Sequence, residues 1–320
     1  MPVAPRSFMM SNEMAGEPYD ELERALSARQ EPRGELLESL SDLQGEALVN
    51  FRQFWERLGS EDRALLLGRL STAAADNLIL DFSVIYAHAL DDHDAVVREM
   101  ALQLAAEEAP LALLDTYLAA ASDDPDPHVR LAALEALGSY TLAAQADDWP
   151  PGVQERLESA LVRQLHQASS DASSRRAALL SLAYLTTRRS EADIRQAYLQ
   201  PDLRDAAIEA MGRNCQELWI PDVVDALADD DPELRALAAE AAGDLQDERL
   251  VPALVARLAD RDEDVRMAAI EALGLIGGAD ARAELAELMH SRDRSMRDAA
   301  RDAMEALLDE TDPMRDLPLN

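Results

Sequence analysis

Apolar residues recur at helical spacing along most of the chain, and toward the C-terminal end they belong to a unit that returns every 31 residues. In Asp262-Glu-Asp-Val-Arg-Met-Ala-Ala-Ile-Glu-Ala-Leu-Gly-Leu-Ile-Gly277, residues Val265, Ala269, Leu273 and Ile276 form one stripe, the mark of a helix with a single buried face. The unit begins 31 residues earlier at Asp231 and 31 later at Asp293. A fixed period of this size predicts a solenoid, in which each unit buries its apolar face only against its neighbours. Asp262 stands where a helix starts, so its carboxylate can accept free backbone N–H groups and oppose the dipole. An arginine follows four residues on in Asp94/Arg98, Asp126/Arg130, Asp231/Arg235, Asp262/Arg266 and Asp293/Arg297. That spacing brings two side chains to one helix face. The arginine column is expected to pair with an aspartate of its own or the adjoining repeat and so fix the stacking. Pro127 and Pro232 follow their aspartates at the first helical position, where proline loses no hydrogen bond. Ala268 and Ala269 are small enough for close helix approach, and Gly274 and Gly277 are expected to loosen or end the helix.

Aligned on arginine, the column reads Arg98, Arg130, Arg176, Arg204, Arg235, Arg266 and Arg297, with gaps of 32, 46, 28, 31, 31 and 31 residues. Arg176 and Arg204 lack the preceding aspartate, so those units are degenerate. A second helix precedes each unit, as in Pro221-Asp-Val-Val-Asp-Ala-Leu227 and Pro252-Ala-Leu-Val-Ala-Arg-Leu258, again 31 apart. The pattern Asp-x-x-[Val/Leu]-Arg-x-Ala-Ala-x-Glu-Ala-Leu-Gly, best at 126–138, 231–243 and 262–274, resembles the HEAT family, specifically the short bacterial repeats also found in phycobilisome bilin lyases. The resemblance covers roughly residues 76–308. It implies an all-α, right-handed α-solenoid of about seven helix pairs, and as a guide to function it is weak, because such repeats serve many purposes.

The expected organisation is a disordered stretch 1–17, an N-terminal helical cap 18–75, a repeat solenoid 76–310 and a disordered tail 311–320. In the cap, Phe51, Phe54 and Trp55 either plug the open end of the solenoid or stand exposed as an anchor for a partner. The 46-residue gap is filled by an insertion, Ser139 to Gly152, containing Asp147-Asp-Trp-Pro-Pro-Gly152. Its Trp149 is either a partner contact or a side chain folded back on the surface.

Charge changes the picture. The 320 residues hold 63 acidic and 30 basic side chains, a formal charge of −33, and no lysine at all. Such a chain fits a GC-rich or salt-loving host, or an acidic surface matched to a basic partner. The missing lysine excludes Schiff-base chemistry, a Walker-type phosphate site and a kinase, and phosphate neutralisation of nucleic acid is disfavoured. Cys215 is the one cysteine, so a reducing compartment fits. The first ten residues do not read as a signal peptide, and Leu78 to Leu90 is too short to span a bilayer. The chain is expected to be cytoplasmic, with no membrane and no nucleic-acid partner.

Candidate chemistry is sparse. None of His88, His93, His128, His166 and His290 is followed by glutamate, so the paired His-Glu motifs of deoxyhypusine hydroxylase, the iron-binding HEAT enzyme, are absent. His88-Ala-Leu-Asp-Asp-His-Asp94 gathers possible ligands without a zinc-type spacing. No metal and no cofactor are expected, and Cys215 has no histidine base near it in sequence. One pattern depends on the repeat: five residues after each aligned arginine stand Gln103, Glu135, Ser181, Glu209, Glu240, Glu271 and Asp302. If the second helices line the concave face, the acids form a ladder that attracts a basic or amphipathic segment; alternatively, glutamate is simply a good helix former on a solvated face. The function expected is a non-catalytic protein-binding scaffold or assembly adaptor using this acidic face. The resemblance offers the alternative of a bilin-lyase-like subunit, or another HEAT-type chaperone or enzyme subunit, acting on a client protein.

Overall fold

A computed structural model describes residues 16–106, 111–146 and 149–310. The expected disordered stretches 1–17 and 311–320 lie almost wholly outside these residues. Every regular element among them is helical, as the 3.6-residue periodicity requires. The chain divides into two compact units, one ending at Tyr140 and the other beginning at Thr141.

The first unit opens with α1 (Gly16–Ser27), the single-turn α2 (Gly34–Glu38), α3 (Gly45–Arg57) and α4 (Ser60–Asp76). Two hairpins follow, α5 (Ser83–Ala89) with α6 (Ala95–Ala105), and α7 (Leu114–Asp123) with α8 (Pro127–Ala146), whose residues from Thr141 on belong to the second unit. Helices α1 and α2 rest on α4, and α4 packs on α6. The aromatic cluster is internal, with Phe51, Phe54 and Trp55 at most 2% exposed and Tyr19 stacked on Phe54 at 4.9 Å. These rings therefore fill the core of the cap and are not an exposed anchor. Asp92, also buried, accepts a hydrogen bond from Trp55 Nε1 at 2.8 Å and an ion pair from Arg63 at 2.9 Å. A buried carboxylate is tolerated only with such partners.

The second unit holds five hairpins: α9 (Val153–His166) with α10 (Ala172–Leu182), α11 (Arg188–Tyr198) with α12 (Arg204–Asn214), α13 (Ile220–Ala226) with α14 (Pro232–Leu245), α15 (Val251–Arg257) with α16 (Glu263–Ile276), and α17 (Gly278–Leu288) with α18 (Arg294–Glu310). Successive second helices pack side by side, α10 on α12, then α14, α16 and α18. Together the two units contain the seven helix pairs expected, and the fold is an all-α repeat solenoid. The first half of the insertion differs from expectation. Residues 139–146 continue α8 instead of forming a loop, because Thr-Leu-Ala-Ala at 141–144 carries no breaker.

Gly274 does not end its helix; α16 runs on to Ile276 and is capped at Gly277, with φ of 67°. The interior glycine serves close approach. A Cβ at Gly274 would lie 2.9 Å from Ala303 Cβ, one at Gly243 would lie 3.2 Å from Ala272 Cα, and one at Gly212 would lie 2.9 Å from Ala241 Cα. Each glycine thus seats against an alanine of the next helix. On α18 the corresponding positions, 31 residues after Ile270 and Gly274, are the exposed Arg301 and Glu305.

Candidate partner-binding face

The side chains of the repeat's aspartates and arginines do not pair with each other within one helix; of Asp262, Arg266 meets only the backbone carbonyl, at 3.0 Å. Each aspartate caps its helix: Asp94 accepts the Val96 N–H at 3.0 Å, Asp126 that of His128 at 2.8 Å, Asp231 that of Glu233 at 3.0 Å, Asp262 that of Asp264 at 2.9 Å and Asp293 that of Ser295 at 2.9 Å. The arginine reaches forward. Arg98 donates to both oxygens of Asp124 at 2.9 and 2.8 Å, and Arg235 to both oxygens of Asp260 at 3.0 and 2.8 Å. Arg204 meets Asp229 at 2.5 Å. The remaining nitrogen reaches back to a carbonyl six residues earlier, Asp92 O from Arg98 and Asp229 O from Arg235, both at 2.8 Å. Arg130, Arg266 and Arg297 make the backward bonds, to the carbonyls of Asp124, Asp260 and Ser291 at 2.7, 2.9 and 2.8 Å. A planar guanidinium suits this bidentate use. The Arg235 hydrogen bond holds the Asp260 carboxyl below the usual aspartate range, against partial burial and with help from the Asp262 N–H.

The receiving residues Asp92, Asp124, Asp229 and Asp260 escape an alignment anchored on the capping aspartate. Their signal is an aspartate two positions before it: Asp92-His-Asp94, Asp124-Pro-Asp126, Asp229-Asp-Asp231 and Asp260-Arg-Asp262, against Ser291-Arg-Asp293. Each also accepts the N–H of its capping partner, at 2.9 to 3.1 Å. In the cap, Arg63 does for Asp92 what the repeat arginines do elsewhere.

The acidic column is uneven. In the first unit Gln103 and Glu135 are exposed, and partial burial followed by the charge of Glu99 raises the Glu135 carboxyl. In the second unit Ser181 is buried and interrupts the row. Glu209 is neutralised, bonded to Arg176 at 2.5 Å and Arg213 at 2.6 Å, with Asp205 also on Arg176. Glu240, Glu271 and Asp302 are exposed on neighbouring helices α14, α16 and α18. Among the described residues none of the three has a basic partner. Partial burial raises the Glu240 carboxyl, and the charges of Glu271, Asp244 and Glu209 raise it further. Asp244 is raised chiefly by burial, with Arg213 opposing.

Beside these acids lies a groove of about 380 Å³ between α16 and α18, floored by Met267, Leu275 and Leu307 and edged by Glu271 and Asp302. Leu275 is 43% exposed there. Trp149 is half-buried and engaged. Cys215 sits at the end of α12 with φ of 51° and its Sγ donates to Gly212 O at 3.3 Å. Burial and then Asp244 push its thiol up, the opposite of what activates a nucleophile. His88 packs edge-on against Trp55 and Phe51, and burial lowers its imidazole. Among the described residues no group of three or more ligating side chains converges on one point, and no helix is long and apolar enough to cross a membrane.

Stacked helix hairpins tied by an Asp–Arg system define the class of an α-helical repeat protein. The families described as HEAT repeats and HEAT repeat match residues 220–305 and 113–142 of the chain. No curated protein matches the sequence. Among solved structures, the chain is similar to the complex of CpcE and CpcF of phycocyanin lyase from Nostoc sp. PCC7120, at 21% identity over 70% of this chain and 94% of that one, with a TM-score of 0.47. It is similar to human deoxyhypusine hydroxylase at 19% identity over 93% and 98% of the two chains, TM-score 0.30. A Kap95p–RanGDP complex gives 16% identity over 94% of this chain and 42% of that chain, TM-score 0.46.

Proposed function

We propose that this protein is a non-catalytic binding scaffold that receives a basic segment of a partner protein on the second-helix face of residues 204–310. The observation that carries the reading is the row Glu240, Glu271 and Asp302, exposed side by side and without basic partners among the described residues. Three other acids of the same unit are matched: Glu209 by Arg176 and Arg213, Asp229 by Arg204, Asp260 by Arg235. Burial and then the charge of Glu271 raise the Glu240 carboxyl, and like charges held side by side cost stability. An incoming cation removes that cost, and the row raises its rate of arrival. The absence of lysine and the raised thiol of Cys215 support a role without covalent catalysis.

The test is affinity purification with mass spectrometry, using wild type and Glu240→Gln/Glu271→Gln/Asp302→Asn as baits at low and high salt. Partners recovered by wild type at low salt should be depleted by the triple variant and by salt, with helical content unchanged by circular dichroism. Equal recovery by both baits would refute the proposal.

A further inference from the structure

Resting on that reading, we infer that the groove between α16 and α18 is a docking site for an amphipathic segment of a partner protein, one that places a large aliphatic side chain in the groove beside arginine or lysine. Two features of different kind meet there. The floor is apolar, with Met267 and Leu275 from α16 and Leu307 from α18, and small residues Gly274, Ala299, Ala303 and Ala306 leave the space open. The edge is anionic, with Glu271 on one wall and Asp302 on the other.

The columns of the repeat show why the site falls here and not along the whole face. Four residues after the acidic position stand Arg213, Asp244, Leu275 and Ala306 on successive second helices. On α12 the face is closed by ions, because Arg213 and Arg176 hold Glu209. On α16 the same position is Leu275, whose partly exposed side chain has no charge to satisfy. One position after the arginine the series runs Asp205, Ala236, Met267 and Asp298. In both columns the one large apolar residue therefore falls on α16, where the acids are also unpaired. An all-cationic ligand would leave Leu275 and Met267 in water, and an all-apolar ligand would leave Glu271 and Asp302 facing a low-dielectric surface. A segment carrying both matches the groove, as peptides laid into helical grooves do through a few apolar anchors.

The probe is a fluorescein-labelled 12-residue peptide with three leucines and three arginines, the rest alanine and glutamine, read by anisotropy against the full chain. Two controls keep the composition but change either leucine to serine or arginine to glutamine. Wild type should bind the parent peptide at least about tenfold more tightly than either control. Leu275→Ser and Glu271→Gln/Asp302→Asn should each weaken the parent by a similar factor, and Ala306→Gln, which narrows the groove from an exposed position, should do the same. Thermal melts confirm that each variant folds. If the serine control binds as well as the parent, and Leu275→Ser and Ala306→Gln change nothing while the charge variant still weakens binding, the groove proposal falls and the acidic-face reading stands. If charge variants and salt have no effect either, both fall. Tighter binding after removal of residues 1–15 or 311–320 would assign the groove to the chain's own segments, and concentration-dependent dimerisation lost in Leu275→Ser would assign it to a second copy; either overturns the proposal.

Discussion

Arg235 divides its guanidinium across a repeat boundary, one edge gripping both oxygens of Asp260 and one nitrogen returning to Asp229 O. Asp260, 7% exposed at its side chain, in turn holds the Asp262 N–H. Replacing it by asparagine keeps the backbone acceptor and removes the charge. Asp260→Asn should cost about 1.5–3 kcal/mol, the range for hydrogen bonds to charged groups, measured by urea denaturation. The loss belongs to neutral pH. A carboxyl held below its ordinary 3.8 contributes stability above that value and loses it as pH falls through the lowered one, so variant and wild type should converge in acid. Glu240 has the opposite sign. Its raised carboxyl contributes stability only below its ordinary 4.5, and the charged form is penalised above. Glu240→Gln should therefore raise the melting temperature at pH 7 by about 1–3 °C, and the gain should vanish as pH approaches 4. A drop at pH 7 would mean that the carboxylate has a stabilising partner.

At the scale of the helix, spacing between neighbours is set by single atoms. Gly68 and Gly212 both lie inside helices, α4 and α12, where alanine is intrinsically better by about 1 kcal/mol. Their surroundings differ. A Cβ at Gly68 would meet only Met100 Cε at 3.6 Å, whereas one at Gly212 would sit 2.9 Å from the Ala241 backbone. Gly68→Ala should stabilise by about 0.5–1 kcal/mol, while Gly212→Ala should destabilise by about 1–3 kcal/mol through overpacking. Denaturant midpoints of the two variants should move in opposite directions. Helix identity and pairing were legible because Asp262, Arg266 and the alanine run recur in register. The arginine was legible only as far as two alternatives, an aspartate of its own repeat or of the adjoining one, and that Arg235 takes Asp260 is seen only with the neighbouring repeat in place. The role of Gly274 was hidden likewise. A glycine three residues before Gly277 reads as a helix end until Ala303 is seen against it. Glu209 looked equivalent to Glu240 because Arg176 is 33 residues away in sequence.

For the molecule as a whole, 63 acids against 30 arginines leave an excess that exposed ion pairs cannot cancel. The clamps at Arg98, Arg235 and Asp260 are partly shielded from water, and salt screens such pairs less than it screens exposed charge. Raising ionic strength should therefore raise the melting temperature, because relief of general repulsion outweighs weakening of the clamps. A lower melting temperature in 0.5 M (about a 4 Å Debye length) salt would reverse that balance. On α18 the pattern changes, with Arg301 and Glu305 standing where α16 has Ile270 and Gly274. Arg301→Ile/Glu305→Gly should expose an apolar landing surface, and sedimentation should then show more self-association than wild type at equal concentration. Because each 31-residue module meets only its neighbours, a duplicate spliced ahead of α17 should extend the row of second helices while α18 keeps its own outward side chains.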